Sequence, residues 1–251
     1  MRHMRIRCLA AALAWCMLMA GCACLCEREH KSSSAHRPAT MPTTRAVRIP
    51  HNFGRWEPEV AAFEVVDRAN PPAKGAVLFI GSSTIRMWRT LGEDFPNHKV
   101  INRGFGGSEI ADATYFAERI IFPYEPKQIF LRAGGNDIHA GRLPEEVAAD
   151  FAEFVEKVQG KLPRTEIIFI SQCPAPARWG EVDKNRELNR MVRKMAMKMP
   201  RVSYVDTWDM SLRNDGKARE ELFVADKLHF NGEGYKLLAE RVRPYLPVVT
   251  K

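Results

Sequence analysis

The chain has 251 residues, of which 45% are hydrophobic, so it can bury one sizeable core and its length favours a single folded domain. Its formal charge of +8 is concentrated at one end: residues 1–50 hold eight Lys and Arg against two acids, which leaves only +2 for residues 51–251. A basic excess confined to the N-terminal segment argues against nucleic-acid binding and suits export and a membrane surface.

The first 21 residues have the layout of a secretory signal peptide. Three arginines within the first seven residues precede an apolar run over residues 9–20, which is too short to span a bilayer comfortably. The segment Met19-Ala20-Gly21-Cys22 is similar to a bacterial lipoprotein cleavage box, although Met19 stands where Leu or Val is usual. We therefore predict a lipoprotein-type signal peptide over residues 1–21 and lipidation at Cys22. An uncleaved anchor and a free secreted form are the alternatives.

Residues 22–50 are polar and rich in Ser, Thr, Pro and charge, which is typical of a flexible tether. The globular body is predicted to span residues 51–251. Five of the six cysteines precede residue 27, so the body cannot rest on an internal disulfide framework. The remaining one, Cys173, follows an apolar stretch and is predicted to be a small buried side chain rather than a nucleophile.

Short apolar runs alternate with amphipathic helical patterns along the body. Hydrophobic residues at helical spacing predict helices over residues 57–68, 145–159, 183–199 and 232–245. Runs that are short, β-branched and not alternating predict buried strands over residues 76–80, 100–102, 128–131, 167–171 and 202–206. This alternation predicts an α/β domain, a three-layer α/β/α sandwich around a five-stranded parallel sheet. Such sheets bind ligands beyond the carboxyl ends of their strands.

Three segments at those ends carry suggestive chemistry. Gly81-Ser82-Ser83 follows the first strand, where a tight turn can expose a hydroxyl, although the same residues are common as plain helix caps. The segment 102–108 is glycine-rich after the second strand; a dinucleotide site is discounted because Glu109 stands where its third glycine would fall. After the third strand, Asn136 is either a turn residue or a side-chain donor to an anion.

A fourth segment precedes the last predicted helix. Asp226 lies three residues before His229, and a carboxylate at that spacing can orient an imidazole for acid–base catalysis. The body holds three further histidines, His51, His98 and His139, with no spacing typical of a metal site. We expect no metal and no cofactor, and we interpret His139 as a rim or helix-start residue.

Serine after strand one, glycine after strand two, asparagine after strand three and Asp-x-x-His near the C-terminus resemble the ordered blocks of the SGNH/GDSL hydrolases. The resemblance spans residues 76–245, and it is greatest for bacterial members likened to platelet-activating factor acetylhydrolase subunits. It implies a flavodoxin-like SGNH hydrolase fold. One departure is visible, because Ser82 replaces the aspartate of the family's Gly-Asp-Ser. Ser82 is kept as an alternative nucleophile.

The resemblance implies a role for each matching residue. Ser83 would be the nucleophile, His229 the general base and Asp226 its orienting carboxylate. The oxyanion donors would be the backbone N–H groups of Ser83 and Gly107 and the side-chain amide of Asn136. No metal is required for that chemistry.

The sequence thus predicts an exported, cell-envelope carboxylic-ester hydrolase that acts on short acyl groups, including O-acetyl groups of a carbohydrate. Its expected partner is a small-molecule or carbohydrate acyl ester, with no nucleic acid and no membrane contact beyond the lipid anchor. A lysophospholipase, a thioesterase and an acyltransferase could use the same triad. A non-catalytic envelope carbohydrate-binding lipoprotein is the alternative from another class. The segment 174–180, with Arg178 and Trp179, could wall the pocket, and Trp179 could stack on a sugar or cover the core.

Overall fold

The computed structural model describes residues 50–248. The predicted signal peptide, the lipidation site at Cys22 and all but the last residue of the predicted tether lie outside the described residues. Within the described part of the chain, no helix has both the length and the apolar character needed to cross a membrane.

Five strands form one parallel sheet in the order β2-β1-β3-β4-β5. They are β1 (Val77–Gly81), β2 (Val100–Gly104), β3 (Gln128–Arg132), β4 (Glu166–Ile170) and β5 (Val202–Val205). The chain leaves β1 toward β2 on one side and then returns to place β3 on the other. This reversal creates a crevice at the carboxyl ends of β1 and β3, which is where open α/β sheets bind ligands.

Within residues 50–248, four helices are longer than ten residues: α1 (Glu57–Ala69), α7 (Pro144–Lys161), α8 (Val182–Ala196) and α9 (Gly232–Val242). Five shorter helices follow strands or lie in connections: α2 (Ser83–Arg86), α3 (Leu91–Asp94), α4 (Ile110–Tyr115), α5 (Ala117–Ile120) and α6 (Gly135–His139). The prediction of a three-layer α/β/α sandwich with a five-stranded parallel sheet is confirmed.

The sheet carries a separate hydrophobic core on each face, because successive strand residues point in opposite directions. Leu78 and Leu131 belong to one core, which α1, α4, α5, α7 and α8 cover. Phe79 and Phe130 belong to the other, which α9 and the α2–α3 region cover. Burial on both faces explains why the strand sequences are continuously apolar instead of alternating.

The predicted elements are recovered with small shifts at their ends. The first strand begins and ends one residue later than predicted, and the second extends two residues further, to Gly104. The predicted helix over 183–199 ends at Ala196, and the predicted helix over 232–245 ends at Val242, followed by a 3₁₀ turn. The methionines of α8 pack against the core, as their spacing predicts.

Candidate active site

A cleft of about 260 Å³ opens at the carboxyl ends of β1 and β3. Four of the residues selected from sequence line it together: Ser83, Gly107, Asn136 and His229. These residues are far apart in the sequence: 24 positions separate Ser83 from Gly107, and 146 separate Ser83 from His229. The parallel topology brings them together, because each follows a strand or precedes the last helix at the same edge of the sheet.

Ser83 is held by a turn that only glycine allows at Gly81. Gly81 has a φ of +142°, and a Cβ built on it would lie 2.0 Å from the carbonyl oxygen of Arg132. The next residue, Ser82, donates its backbone N–H to that same oxygen at 3.0 Å and is the N-cap of α2. The chain therefore turns sharply out of β1, and Ser83 becomes the first residue of α2 inside the cleft.

The side chains of Ser83, His229 and Asp226 form one hydrogen-bonded chain. His229 Nε2 lies 2.8 Å from Ser83 Oγ, and His229 Nδ1 lies 2.6 Å from Asp226 Oδ2. An ionised carboxylate can only accept, so the proton of the neutral imidazole lies on Nδ1 and Nε2 accepts from the serine hydroxyl. It is Ser83, and not its neighbour Ser82, that this contact joins to the imidazole.

Hydrogen bonds from nearby backbone N–H groups hold the Asp226 carboxylate in place. Its Oδ1 accepts from the backbone N–H groups of Leu228 and His229, each at 2.9 Å. The hydrogen bond from the His229 ring and these two backbone bonds lower the pKa of Asp226 to about 2. Lys227 adopts a left-handed conformation with a φ of 56°, which lets the chain curl back so that carboxylate and imidazole meet. Asn231 then caps α9 by accepting from Glu233 and Gly234.

Two backbone N–H groups and one side-chain amide face the same cleft. Among residues 50–248, neither the Ser83 nor the Gly107 backbone N–H donates a hydrogen bond to another part of the protein. Gly107 has a φ of +83°, in the left-handed region, and a Cβ there would lie 3.1 Å from the Trp56 ring. Both amides are therefore free to donate to a negatively charged oxygen in the cleft.

Asn136 is oriented from both ends of its amide. Its Nδ2 donates to the carbonyl of Ser108 at 3.0 Å, which uses one of its two N–H bonds. Its Oδ1 accepts from Arg178 Nη2 at 3.0 Å, while Arg178 Nη1 donates to Gly135 at 3.1 Å. Because the oxygen is fixed by Arg178, the second N–H of Nδ2 is left to point at a ligand.

Sequence reasoning missed several residues that line the cleft, namely Arg86, Arg132 and Gln172. Arg132 directly follows the predicted third strand. A charged residue at the carboxyl end of a buried strand could have identified it as a cleft residue. Arg178 was placed in the pocket wall by its segment, but its bond to Asn136 joins positions 42 residues apart and left no local pattern.

Three sequence expectations need correction or refinement. Cys173 is not a fully buried side chain: it is half-buried, lines the cleft, and its Sγ accepts from Arg132 Nη2 at 3.3 Å. Trp179 is 42% exposed, so it does not serve to cover the core. His139 ends α6 instead of starting a helix, and its Nδ1 lies 2.6 Å from Glu181. In residues 50–248, no group of three or more His, Cys, Asp or Glu is arranged to hold a metal ion.

Serine, histidine and aspartate joined in this order beside free amide donors are the groups on which serine hydrolases rely. The model of the GDSL-like lipase/acylhydrolase family matches residues 75–237, and the chain belongs to this family. The resemblance predicted from the four sequence blocks is thereby confirmed.

Known relatives agree with this membership. The human platelet-activating factor acetylhydrolase IB subunit alpha1 is 26% identical over 216 residues, covering 81% of this chain and 87% of that protein. A structure from Streptococcus pneumonia, provisionally assigned as a platelet activating factor, superposes with a TM-score of 0.69 at 21% identity, covering 78% of this chain and 94% of the other. An acetylxylan esterase from Geobacillus stearothermophilus has a TM-score of 0.54 at 16% identity, covering 68% and 94%. These two structures establish the likeness of fold alone.

Proposed function

We propose that the protein is a serine esterase that hydrolyses short-acyl carboxylic esters, including O-acetyl esters, through an acyl-enzyme. One observation carries this proposal: the continuous hydrogen-bonded chain from Ser83 Oγ through His229 to Asp226, with contacts of 2.8 and 2.6 Å. A protein that only binds carbohydrate has no need of a nucleophile, a base and an orienting acid in one line, so we favour an enzyme over a binding protein.

In the proposed acylation step, Ser83 Oγ attacks the ester carbonyl carbon while His229 Nε2 takes the hydroxyl proton. The carbonyl π electrons move onto the oxygen, and the ionised Asp226 stabilises the imidazolium that forms. When the tetrahedral intermediate collapses, the bond to the leaving alcohol breaks and His229 returns the proton to that oxygen. Water then attacks the acyl-enzyme with the same base, and the products are a carboxylic acid and free Ser83.

The proposed oxyanion hole consists of the N–H groups of Ser83 and Gly107 and the Nδ2 amide of Asn136. These donors are set by the backbone and by Arg178 before substrate arrives, so little reorganisation is needed when charge develops on the oxygen. Loss of one such donor typically costs about 3 kcal/mol of transition-state stabilisation.

The preference for a short acyl group rests on the size of the cleft. Its volume of about 260 Å³ lies just below the range typical of pockets that hold drug-sized ligands, which starts at about 300 Å³. Two of the relatives, an acetylhydrolase subunit and an acetylxylan esterase, act on acetyl esters according to their names. We extend that substrate class to this chain.

Hydrolysis of 4-nitrophenyl acetate, butyrate and octanoate tests the proposal. We expect kcat/KM to fall as the acyl chain lengthens and to be lost in Ser83→Ala, while Ser82→Ala keeps measurable turnover. Activity that survives in Ser83→Ala and disappears in Ser82→Ala would reassign the nucleophile. Folded wild-type protein that cleaves none of the three esters and resists a fluorophosphonate label at Ser83 would overturn the serine esterase.

We also propose that the protein is exported and held at the cell envelope by a lipid on Cys22. The basic and apolar segments before Cys22 and the cleavage-box pattern support this proposal. Mass spectrometry of the mature N-terminus is the test. A mature chain that begins at a lipidated Cys22 is the expected result, and a peptide that begins before residue 22 would contradict it.

A further inference from the structure

The cleft is lined by three arginines and by no acidic side chain of residues 50–248. The arginines are Arg86, Arg132 and Arg178. Asp226, the carboxylate of the proposed triad, is bonded to Nδ1 of His229 and is not part of the lining. A water-filled cleft bordered by charges of one sign attracts a ligand of the opposite sign.

Arg178 directs one hydrogen bond from each terminal nitrogen to the wall of the cleft. Its two terminal nitrogens donate to Gly135 O at 3.1 Å and to Asn136 Oδ1 at 3.0 Å. Burial lowers the pKa of its guanidinium, and the charge of Glu181 opposes this shift. Its hydrogen bonds hold the proposed oxyanion donor. Its charge adds to the positive field of the cleft, and the guanidinium groups considered as ligands for an anion are those of the other two arginines.

Arg132 is a buried cation whose described partners are all neutral. The residue is only 4% exposed. Its Nη1 donates to Ser171 O and lies 3.4 Å from Thr207 Oγ1, and its Nη2 donates to Cys173 Sγ at 3.3 Å. Its Nε is buried without a hydrogen-bond partner, and no carboxylate of residues 50–248 lies within ion-pair distance of the guanidinium. Burial of an uncompensated charge is costly, and an anion in the cleft would remove that cost.

Arg86 lies one helical turn after Ser83 on α2 and is exposed at the mouth of the cleft. A Cβ built on Gly106 would come within 2.8 Å of Arg86 Nε and 2.9 Å of its Cζ and Nη2. The missing side chain at Gly106 therefore makes room for the guanidinium beside the proposed oxyanion segment. In the described part of the chain, Arg86 takes part in no ion pair.

From these contacts we infer that the cleft receives an acyl ester that also carries an oxyacid anion, such as a carboxylate or a phosphate. Arg132 faces this anion from the floor of the cleft and Arg86 faces it from the mouth. The planar guanidinium fork matches both kinds of anion by paired hydrogen bonds. The inference rests on the proposed esterase function and narrows its substrates to anionic esters.

Two matched pairs of esters test the inference in either half of the substrate. Mono(4-nitrophenyl) adipate and 4-nitrophenyl hexanoate differ only by a terminal carboxylate in place of a methyl group. In the second pair, acetoxybenzoate and its methyl ester, the charge of the anionic member lies on the leaving group. The kcat/KM of each ester is divided by the rate constant for its hydrolysis by hydroxide. In at least one pair we expect kcat/KM to be about 10- to 100-fold higher for the anionic ester, as one or two charged hydrogen bonds would give. Salt should reduce the preference.

Variants of the two arginines test whether they cause the preference for anionic esters. Arg86→Gln should lower the ratio of anionic to neutral kcat/KM about tenfold, and Arg132→Lys should lower it because the fork is lost. Arg89→Gln is the matched control, since Arg89 is an exposed arginine of the same connection that does not line the cleft. It should keep the wild-type ratio. Ratios near one in both pairs, with Ser83-dependent cleavage of the neutral esters, would overturn the anion site and leave the esterase intact.

A binding measurement separates the two proposals if no ester is cleaved. Calorimetry with the Ser83→Ala protein compares monoethyl adipate with diethyl adipate and requires no chemistry. Tighter binding of the monoanion, weakened about tenfold by adding Arg86→Gln, would support the anion site even if the esterase proposal fails. Equal affinities within this pair and also between acetoxybenzoate and its methyl ester, or an affinity that Arg86→Gln leaves unchanged, would overturn the inference.

Discussion

Asp226 is an exposed carboxylate that nevertheless stays ionised to low pH. Hydrogen bonds from the His229 ring and from two backbone N–H groups lower its pKa to about 2. Because the folded-state pKa lies below the ordinary value of 3.8, its contribution to stability is present above pH 3.8 and is lost as the pH falls through about 2. Its titration should therefore leave no inflection in a pH–rate profile measured above pH 4.

Replacement of Asp226 by asparagine should lower activity without unfolding the turn. The Asn oxygen can still accept from Leu228 and His229, but it no longer stabilises an imidazolium or enforces the Nδ1–H tautomer. Because water reaches this carboxylate and takes over part of its role, we expect kcat to fall about 10²- to 10³-fold, less than the roughly 10⁴-fold seen for a buried triad aspartate.

Asp215→Asn provides a matched control for that variant. Asp215 is also an exposed aspartate whose Oδ1 accepts a backbone N–H, from Lys217 at 3.0 Å, but it lies outside the cleft. Its variant should keep wild-type kcat. Equal activity of the two variants in an assay with 4-nitrophenyl acetate would remove Asp226 from the proposed triad.

Asn136 and Arg178 should differ in how strongly they affect catalysis. Asn136→Ala removes a proposed oxyanion donor, so we expect kcat to fall about 10²- to 10³-fold with little change in KM. Arg178→Gln removes the guanidinium that holds the Asn136 oxygen and the Gly135 carbonyl but leaves the proposed donor in place, so a smaller loss of about tenfold is expected. Steady-state kinetics of both variants measure this order, and a larger loss in Arg178→Gln than in Asn136→Ala would contradict it.

At the scale of elements, the position of Ser83 depends on how closely α2 approaches β2. A Cβ built on Gly104, at the end of β2, would lie 2.1 Å from the backbone nitrogen of Arg86 and 2.6 Å from the carbonyl carbon of Ile85. Asn102, two residues earlier, donates its side-chain amide to Ile85 O at 2.7 Å and accepts from Gly104 N–H at 2.9 Å. The Asn102 side chain thus links the strand to the helix, and the two backbones approach closely at Gly104.

Gly104→Ala should push α2 away from β2. We expect a loss of about 3 kcal/mol in unfolding free energy, since the clash involves backbone that cannot rotate aside, and a fall in kcat as Ser83 moves away from His229. Gly160→Ala is the control, because a Cβ there meets nothing within 4 Å and α7 should gain about 0.5–1 kcal/mol. Urea unfolding of both variants measures the difference, and similar midpoints would show that α2 can shift at no cost.

Sequence patterns predicted the strands and the long helices well and the short helices poorly, for a physical reason. In α7, residues such as Val147, Phe151 and Val158 recur with the helical period and are all buried, so periodicity alone marks the helix. α2 and α6 have four and five residues, too few to show a period. Their helical state comes from tertiary contacts, such as the close approach at Gly104, which a sequence pattern does not record.

The candidate site was also predictable only in part. Ser83, Gly107, Asn136 and His229 were selectable because each stands at a recognisable position beside a strand or helix end, and they meet in one cleft. The contacts that support these residues could not be selected from sequence. Arg178, for example, binds Asn136 across 42 positions, and no sequence spacing predicts that contact. Residues at strand ends and in short local motifs can be selected from sequence, whereas a supporting side chain such as Arg178 need only be close in space.

At the scale of the whole molecule, a buried polar network ties the start of the body to the cleft side of the sheet. His51 Nδ1 lies 2.7 Å from Glu109 Oε2, and Arg142 Nε donates to the same oxygen at 3.0 Å. Glu109 follows the proposed oxyanion segment, and the nearby Ile110 N–H donates to Asp137 Oδ1 at 3.1 Å. Asp137 is the direct neighbour of Asn136, so the network is connected to both proposed oxyanion segments.

Asp137 makes this network sensitive to pH. The residue is fully buried, and desolvation, followed by the repulsion of Glu109 and Asp150, raises its pKa to about 7. A raised acid pKa means that the folded state holds the proton more tightly than the unfolded state does. Its stabilising effect is therefore complete below pH 3.8 and is lost as the pH rises through about 7.

Asp137→Asn should remove that loss of stability. An amide at position 137 can still accept from Ile110 and places its NH₂ where Asp137 Oδ2 now has no hydrogen-bond partner, so it mimics the protonated acid at every pH. Between pH 4 and 7 the unfolding free energy of the wild type should fall relative to the variant, with a slope approaching about 1.4 kcal/mol per pH unit. Asp183→Asn, on the exposed face of α8, should give a curve parallel to the wild type. Urea unfolding at a series of pH values measures all three proteins; if the Asp137→Asn curve also runs parallel to the wild type, Asp137 is already ionised in the folded protein and the network tolerates its charge.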